Sequence, residues 1–186
     1  MIRSLEALRA IHIRRGNALV VATMTGRREW AEISDQPQYD MVINSMGKAS
    51  NFGLGLALAQ PQRRVIVIDG DGSFLMNINT IITTSGKQPL NMIHIVLENG
   101  GYTATGGEPL AGTGVTNFTE MAAGAGFAAA YEFSELEDFV GALDKILTQD
   151  GPVFVMLHVQ HEQLPRKQLP TAAETALAMT TALGDG

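Results

Sequence analysis

Apolar and polar positions along the chain follow two alternating periods. Short runs that are almost wholly apolar or β-branched recur at residues 18–23, 40–44, 64–69, 91–97, 128–133 and 152–159. Runs of that length and continuity predict strands buried on both faces. The windows between them carry helical spacing. Ile2, Leu5, Leu8 and Ile11 recur at intervals of three, with Arg3, Glu6, Arg9 and Arg14 elsewhere, and predict a helix over 2–15 stopped at Gly16 and Asn17. Residues 25–30 read as a loop leading into a short helix. A small-residue helix through Gly53, Gly55, Ala57 and Ala59 ends at Pro61, its small positions allowing close approach to a neighbour. Further helices are predicted over 74–85, stopped by Gly86, and over 117–124. Ser134 and Glu137 read as a capping box opening a helix through Leu147, whose apolar face is Leu136, Phe139, Val140, Leu143 and Leu147. Thr171 and Glu174 repeat the pattern ahead of an alanine-rich helix reaching Leu183.

Strands alternating with helices predict an α/β fold: a parallel sheet of about six strands with helices on both faces. Residues 1–186 are read as one domain, with 160–186 as a C-terminal tail ending in a helix.

Composition narrows the function classes. The net charge is −6, and no lysine-rich block or aromatic–basic interleaving occurs, which argues against nucleic acid. With no cysteine, thiol nucleophiles, disulfides and iron–sulfur clusters are excluded from this chain. The first residues lack the apolar core of a signal peptide, and no apolar run approaches the roughly 20 residues of a membrane span. A soluble cytoplasmic protein is the expectation.

The candidate chemistry sits in two clusters, each at the carboxyl end of a predicted strand, where open α/β sheets bind ligands. Gly70, Asp71, Gly72 and Ser73 follow the run 64–69. Glu98, Asn99, Gly100, Gly101, Tyr102 and Thr103 follow the run 91–97. The glycines allow a tight turn and bring backbone N–H groups close to phosphate oxygens. Ser73 adds a hydroxyl. Asp71 offers a hard carboxylate oxygen, Asn99 an amide oxygen and Gly101 a bare carbonyl. Three protein oxygens, two diphosphate oxygens and a water would complete an octahedral Mg²⁺ site. The glycine- and threonine-rich stretch 100–114 reads as a loop wrapping diphosphate and metal. His94, alone inside its strand, reads as a core residue.

Gly-Asp-Gly followed about 25 residues later by Asn is similar to the signature of thiamine diphosphate (ThDP) enzymes, and residues 18–158 resemble their diphosphate-binding (PP) domain. The sequence departs at Glu98, where that family usually has a first Asn; its metal ligand corresponds to the second, Asn99. The resemblance implies ThDP and Mg²⁺ as cofactors. It implies that Asp71, Asn99 and Gly101 ligate the metal. Gly70, Gly72, Ser73, Tyr102 and Thr103 would contact the cofactor. It also implies that Asn44, Ser45 and Met46 hold the pyrimidine: the Asn44 carbonyl accepts from the 4′-amino group, the Met46 N–H donates to the ring, and the Met46 side chain wedges between the two rings.

In this family the activating glutamate lies on a separate pyrimidine-binding (PYR) domain, for which this chain has no room. The resemblance therefore implies no catalytic residue here and a hetero-oligomer completed by a PYR-domain α subunit. Thr25, Gly26, Arg28, Glu29, Ser45, Met46, Gly47, Ala49, Ser50, Gly106, Gly107 and Pro109 are spaced as in sulfopyruvate and phosphonopyruvate decarboxylases. The implied reaction is decarboxylation of an anionic 3-substituted pyruvate, with Arg28 or Lys48 facing the acidic substituent of the 2-oxoacid. The alternatives are a subunit of an acetolactate-synthase-like ligase or other 2-oxoacid enzyme, or a non-catalytic ThDP-binding module.

Overall fold

The computed structural model describes residues 1–161, 164, 165 and 168–184. Elements run in the order β1 (Ile2–Arg3), α1 (Ser4–Arg14), β2 (Leu19–Thr23), α2 (Met24–Ala31), β3 (Asp40–Ile43), α3 (Ala49–Ala59), β4 (Val65–Gly70), α4 (Asp71–Leu75), α5 (Thr80–Lys87), β5 (Met92–Glu98), β6 (Gly101–Tyr102), β7 (Glu108–Pro109), α6 (Phe118–Ala125), β8 (Ala129–Phe133), α7 (Leu136–Thr148), β9 (Val153–Gln160) and α8 (Ala172–Gly184).

Seven strands form one parallel sheet in the order β3-β2-β4-β5-β9, with β8 beside the first part of β9 and the two-residue β1 beside its end. Successive side chains of a strand point to opposite faces, so a strand covered on both sides must be apolar throughout. Ile66 and Ile68 of β4 pack with Leu8, Ile11, Trp30, Phe139 and Leu143, from α1, α2 and α7. Val65 and Val67 face the other way, toward Leu54 and Ala57 of α3 and Met179 of α8. A third cluster, around Phe74, Phe118 and Phe154, joins α4 and α6 to β5 and β9. The small-residue reading of α3 has a direct cause: a Cβ on Gly53 would stand 2.2 Å from Val67 Cγ2.

Four elements differ from the sequence reading. The N-terminal helix begins at Ser4, because Ile2 and Arg3 pair with Val159 and Gln160. The helix expected over 74–85 is two helices, α4 starting at Asp71 and α5 ending at Lys87. Between them the Asn77 amide donates to the Gly47 carbonyl at 2.7 Å, and asparagine is a weak helix former that readily spends its side chain this way. The Ser134 capping box does not form: α7 begins at Leu136 with Glu135 at its cap position and no side-chain cap bond. The stretch 100–114 is partly folded, since β6 and β7 pair as an antiparallel ribbon.

The Thr171 capping box is present in both directions. The Thr171 N–H donates to Glu174 at 2.8 Å and the Glu174 N–H to Thr171 Oγ1 at 3.2 Å. It opens α8, which lies against the outermost strand, where the Val42 N–H donates to Thr175 Oγ1 at 3.2 Å. Arg166 and Lys167, basic residues of the tail, lie outside the described residues.

Candidate functional site

The chain leaves β2, forms β3 on one side of it and returns to form β4 on the other. This reversal of winding opens a crevice at the carboxyl ends of β2 and β4. A solvent-open cavity occupies that position. It is walled by Met24, Thr25 and Gly26 after β2, Met46 after β3, Gly70–Ser73 after β4, Leu97 and Asn99 at the end of β5, Gly101–Thr103 and Thr105 beyond it, and His161 after β9. Both glycine clusters of the sequence therefore meet in one place.

Asp71 is the hub. It is buried, 2% exposed. Its Oδ1 accepts from the Gly72 N–H at 2.7 Å, and its Oδ2 accepts from the N–H groups of Asn99 and Gly100 at 2.9 and 2.8 Å. One carboxylate thus ties the end of β5 to the start of α4. Burial pushes the Asp71 carboxyl above its ordinary value; the three N–H bonds oppose this and the charge of Glu98 adds to it, with a net upward displacement.

The Asn99 amide donates to Thr103 Oγ1 at 2.6 Å. In that orientation its oxygen faces Asp71 Oδ1 at 3.3 Å and the Gly101 carbonyl at 3.1 Å, so three oxygens converge with no hydrogen between them. Rotating the amide would place its N–H₂ against both and satisfy them without an ion. A cation would favour the first orientation. Ligands about 2.1 Å from Mg²⁺ at right angles stand about 3 Å apart, so a carboxylate, an amide and a backbone carbonyl at these separations fit such an ion.

The chain passes directly from β4 to α4 at Gly70 and Asp71, and neither Gly70 nor Gly72 needs a positive φ to do so. Gly72 is required by proximity, since a Cβ there would stand 2.6 Å from the Tyr102 ring. Around Gly70 nothing lies within 4 Å of a Cβ position, leaving bare backbone on the cavity wall. Ser73 Oγ accepts from the Gly47 N–H at 2.9 Å, tying the Met46 turn to the cluster. Met24 carries the left-handed φ of +53° between β2 and α2, a conformation that costs an ordinary residue about 1 kcal/mol.

The other expected residues lie outside the cavity wall. Asn44, Ser45, Arg28 and Lys48 are exposed. The Asn44 side chain accepts from Arg27, whose guanidinium is lowered by burial and by neighbouring Arg28. His94 is core: it is 1% exposed and meets Phe74 and Phe154 edge-on. The sequence reading gives no site role to Met24, Leu97, His161, Thr25 or Gly26, and includes Thr105 only as part of the 100–114 loop. For His161 a signal existed, since it follows a strand's carboxyl end.

Beside the cavity, His158 bridges Glu98 and Glu132, Nδ1 and Nε2 each 2.6 Å from a carboxylate oxygen. Burial disfavours its cation, but the two carboxylates outweigh this and raise its pKa. Among the described residues no helix is long and apolar enough to cross a membrane.

Fold and cavity together describe a ligand-sized crevice at the carboxyl ends of a parallel sheet, and comparison with known proteins gives the family. Residues 21–157 match the family model of the thiamine pyrophosphate enzyme C-terminal TPP-binding domain (thiamine pyrophosphate and thiamine diphosphate being one compound), and the chain belongs to that family. It is 36% identical over 177 residues to a phosphonopyruvate decarboxylase of Streptomyces viridochromogenes, covering 94% of this chain and 44% of that one. It is 35% identical over 161 residues to the sulfopyruvate decarboxylase subunit beta of Methanothermobacter thermautotrophicus, covering 86% and 83%. The chain thus spans less than half of the former and most of the latter. The fold matches that of a thiamine diphosphate-dependent 4-hydroxybenzoylformate decarboxylase of Rhodococcus jostii, with a TM-score of 0.71 at 19% identity over 88% of this chain and 33% of that one.

Proposed function

We propose that this chain is the PP subunit of a split ThDP-dependent 2-oxoacid decarboxylase acting on an anionic 3-substituted pyruvate such as sulfopyruvate or phosphonopyruvate. The observation that carries this reading is the approach of the Asn99 side-chain amide to Asp71 Oδ1 and the Gly101 carbonyl, 3.3 and 3.1 Å away, beside the bare backbone of Gly70. The two decarboxylase relatives supply the reaction class.

In this reading Asp71, Asn99 and Gly101 hold Mg²⁺, and the N–H groups and hydroxyl of Gly70–Ser73, with Tyr102 and Thr103, hold the diphosphate. Met46, on the cavity wall, sets the bend between the two rings, with Asn44 and Ser45 at the pyrimidine end. The chemistry that ThDP supplies when bound is a nucleophilic carbon and an electron sink for the bond that breaks. The chain's own task is to anchor, neutralise and bend it in a water-poor crevice. The activating carboxylate and the walls around the substrate come from a PYR-domain α subunit, so the active form is a hetero-oligomer. Arg28 and Lys48, both exposed, are the cationic candidates for the acidic substituent in the assembled site. A cytoplasmic location is part of the same reading.

Co-expression with a PYR-type chain tests this. The mixture should release CO₂ from sulfopyruvate or phosphonopyruvate faster than from pyruvate, and the chain alone should release none. Full activity of the isolated chain, or none from any pairing that binds ThDP, overturns the reading.

A further inference from the structure

A diphosphate tail carries two to three negative charges, and a divalent cation paired with Asp71 offsets only about one of them. Among the described residues of the cavity wall there is no lysine or arginine, and His161 is the one side chain able to become a cation. His161 follows β9, on a different strand end from the metal-side oxygens. Its ring is fixed from behind: Nδ1 lies 3.1 Å from Glu29 Oε1, and Ser4 Oγ donates to that same oxygen at 2.5 Å. The Glu29 side chain is fully buried and that of His161 is 10% exposed. A buried carboxylate is costly unless partnered, and a carboxylate behind a histidine fixes which nitrogen faces forward. With Nδ1 engaged by Glu29, Nε2 is the ring nitrogen left to serve the cavity that His161 lines. The pairing of β1 with β9 places Ser4 at this spot, so the N-terminal segment braces the site.

We propose that His161, seated on Glu29 and Ser4, is a cofactor-binding residue that donates through Nε2–H to the terminal phosphoryl group of ThDP. This rests on the ThDP reading above. In the loaded site the ring lies between the Glu29 carboxylate and the terminal phosphoryl group. Glu29 is a positioning residue, acting through the imidazole.

Calorimetric titration of the chain with Mg²⁺–ThDP and, separately, Mg²⁺–thiamine monophosphate tests this, with ³¹P NMR of the bound cofactor as a second readout. His161→Gln should weaken ThDP binding about tenfold or more, as expected for a hydrogen bond to a charged group. It should leave thiamine monophosphate, which lacks the terminal phosphoryl, unchanged, and should shift the terminal ³¹P resonance alone. His161→Lys should recover most of the loss, and Glu29→Gln should show a smaller one. Equal weakening of both ligands, no weakening, or no recovery with lysine overturns the proposal while leaving the cofactor reading intact. Failure of the unsubstituted chain to bind ThDP both alone and paired with a PYR-type chain overturns the cofactor reading and this proposal with it.

Discussion

Asp71 and Asn99 approach within 3.3 Å across the carboxyl ends of two neighbouring strands, and the Asp71 carboxylate also accepts the Asn99 backbone N–H. The geometry of the pair is therefore set before any ion arrives. Asp71→Asn keeps the shape and removes the charge. It should abolish the rise in melting temperature that Mg²⁺–ThDP gives the unsubstituted chain, a rise of order RT ln(1 + [L]/Kd) in free energy. EDTA should abolish it too. Differential scanning fluorimetry is the measurement, with circular dichroism confirming that the variant is folded.

The rotation of the Asn99 amide should follow the ion. Thr103 Oγ1 accepts from the amide in one orientation and donates in the other, 2.6 Å away in both. Thr103→Val removes this adaptable partner. The expected result is a severalfold loss of Mg²⁺–ThDP affinity with little change in unfolding free energy, both measurable by titration and urea denaturation.

His158 gives a pH signature of its own. Its raised pKa, due to Glu132 and Glu98 prevailing over burial, means that folding stabilises the protonated ring. The contribution is fully present below the ordinary histidine value of about 6.5 and fades as pH rises through the higher folded value. The stability gap between the unsubstituted chain and His158→Gln should be widest near pH 5 and close toward pH 9. A gap that grows with pH would contradict the assignment.

Much of this architecture could be read from the residues alone. Six apolar runs fall on strands, five of them largely buried and the edge strand β8 only half-buried, and the two glycine clusters fall at the carboxyl ends of the neighbouring strands β4 and β5. What escaped was set by partners distant in sequence. The split between α4 and α5 depends on Asn77 reaching Gly47, and the strand at Ile2–Arg3 exists only because β9 lies beside it. His161 gained its place through Glu29, 132 residues earlier. The need for Gly72 arose from the Tyr102 ring rather than from any turn.

Gly53 tests the packing argument. Its missing side chain lets α3 lie on Val67, and a Cβ would intrude to 2.2 Å. Gly53→Ala should cost about 1–3 kcal/mol despite alanine's better helix propensity, read as a lower urea midpoint with unchanged slope.

The seat of α8 on β3 has a consequence for assembly. The Val42 N–H, which an extended segment from another molecule would need, is already committed to Thr175. Lateral growth of the sheet is thereby refused on this margin, and a second polypeptide has to approach elsewhere.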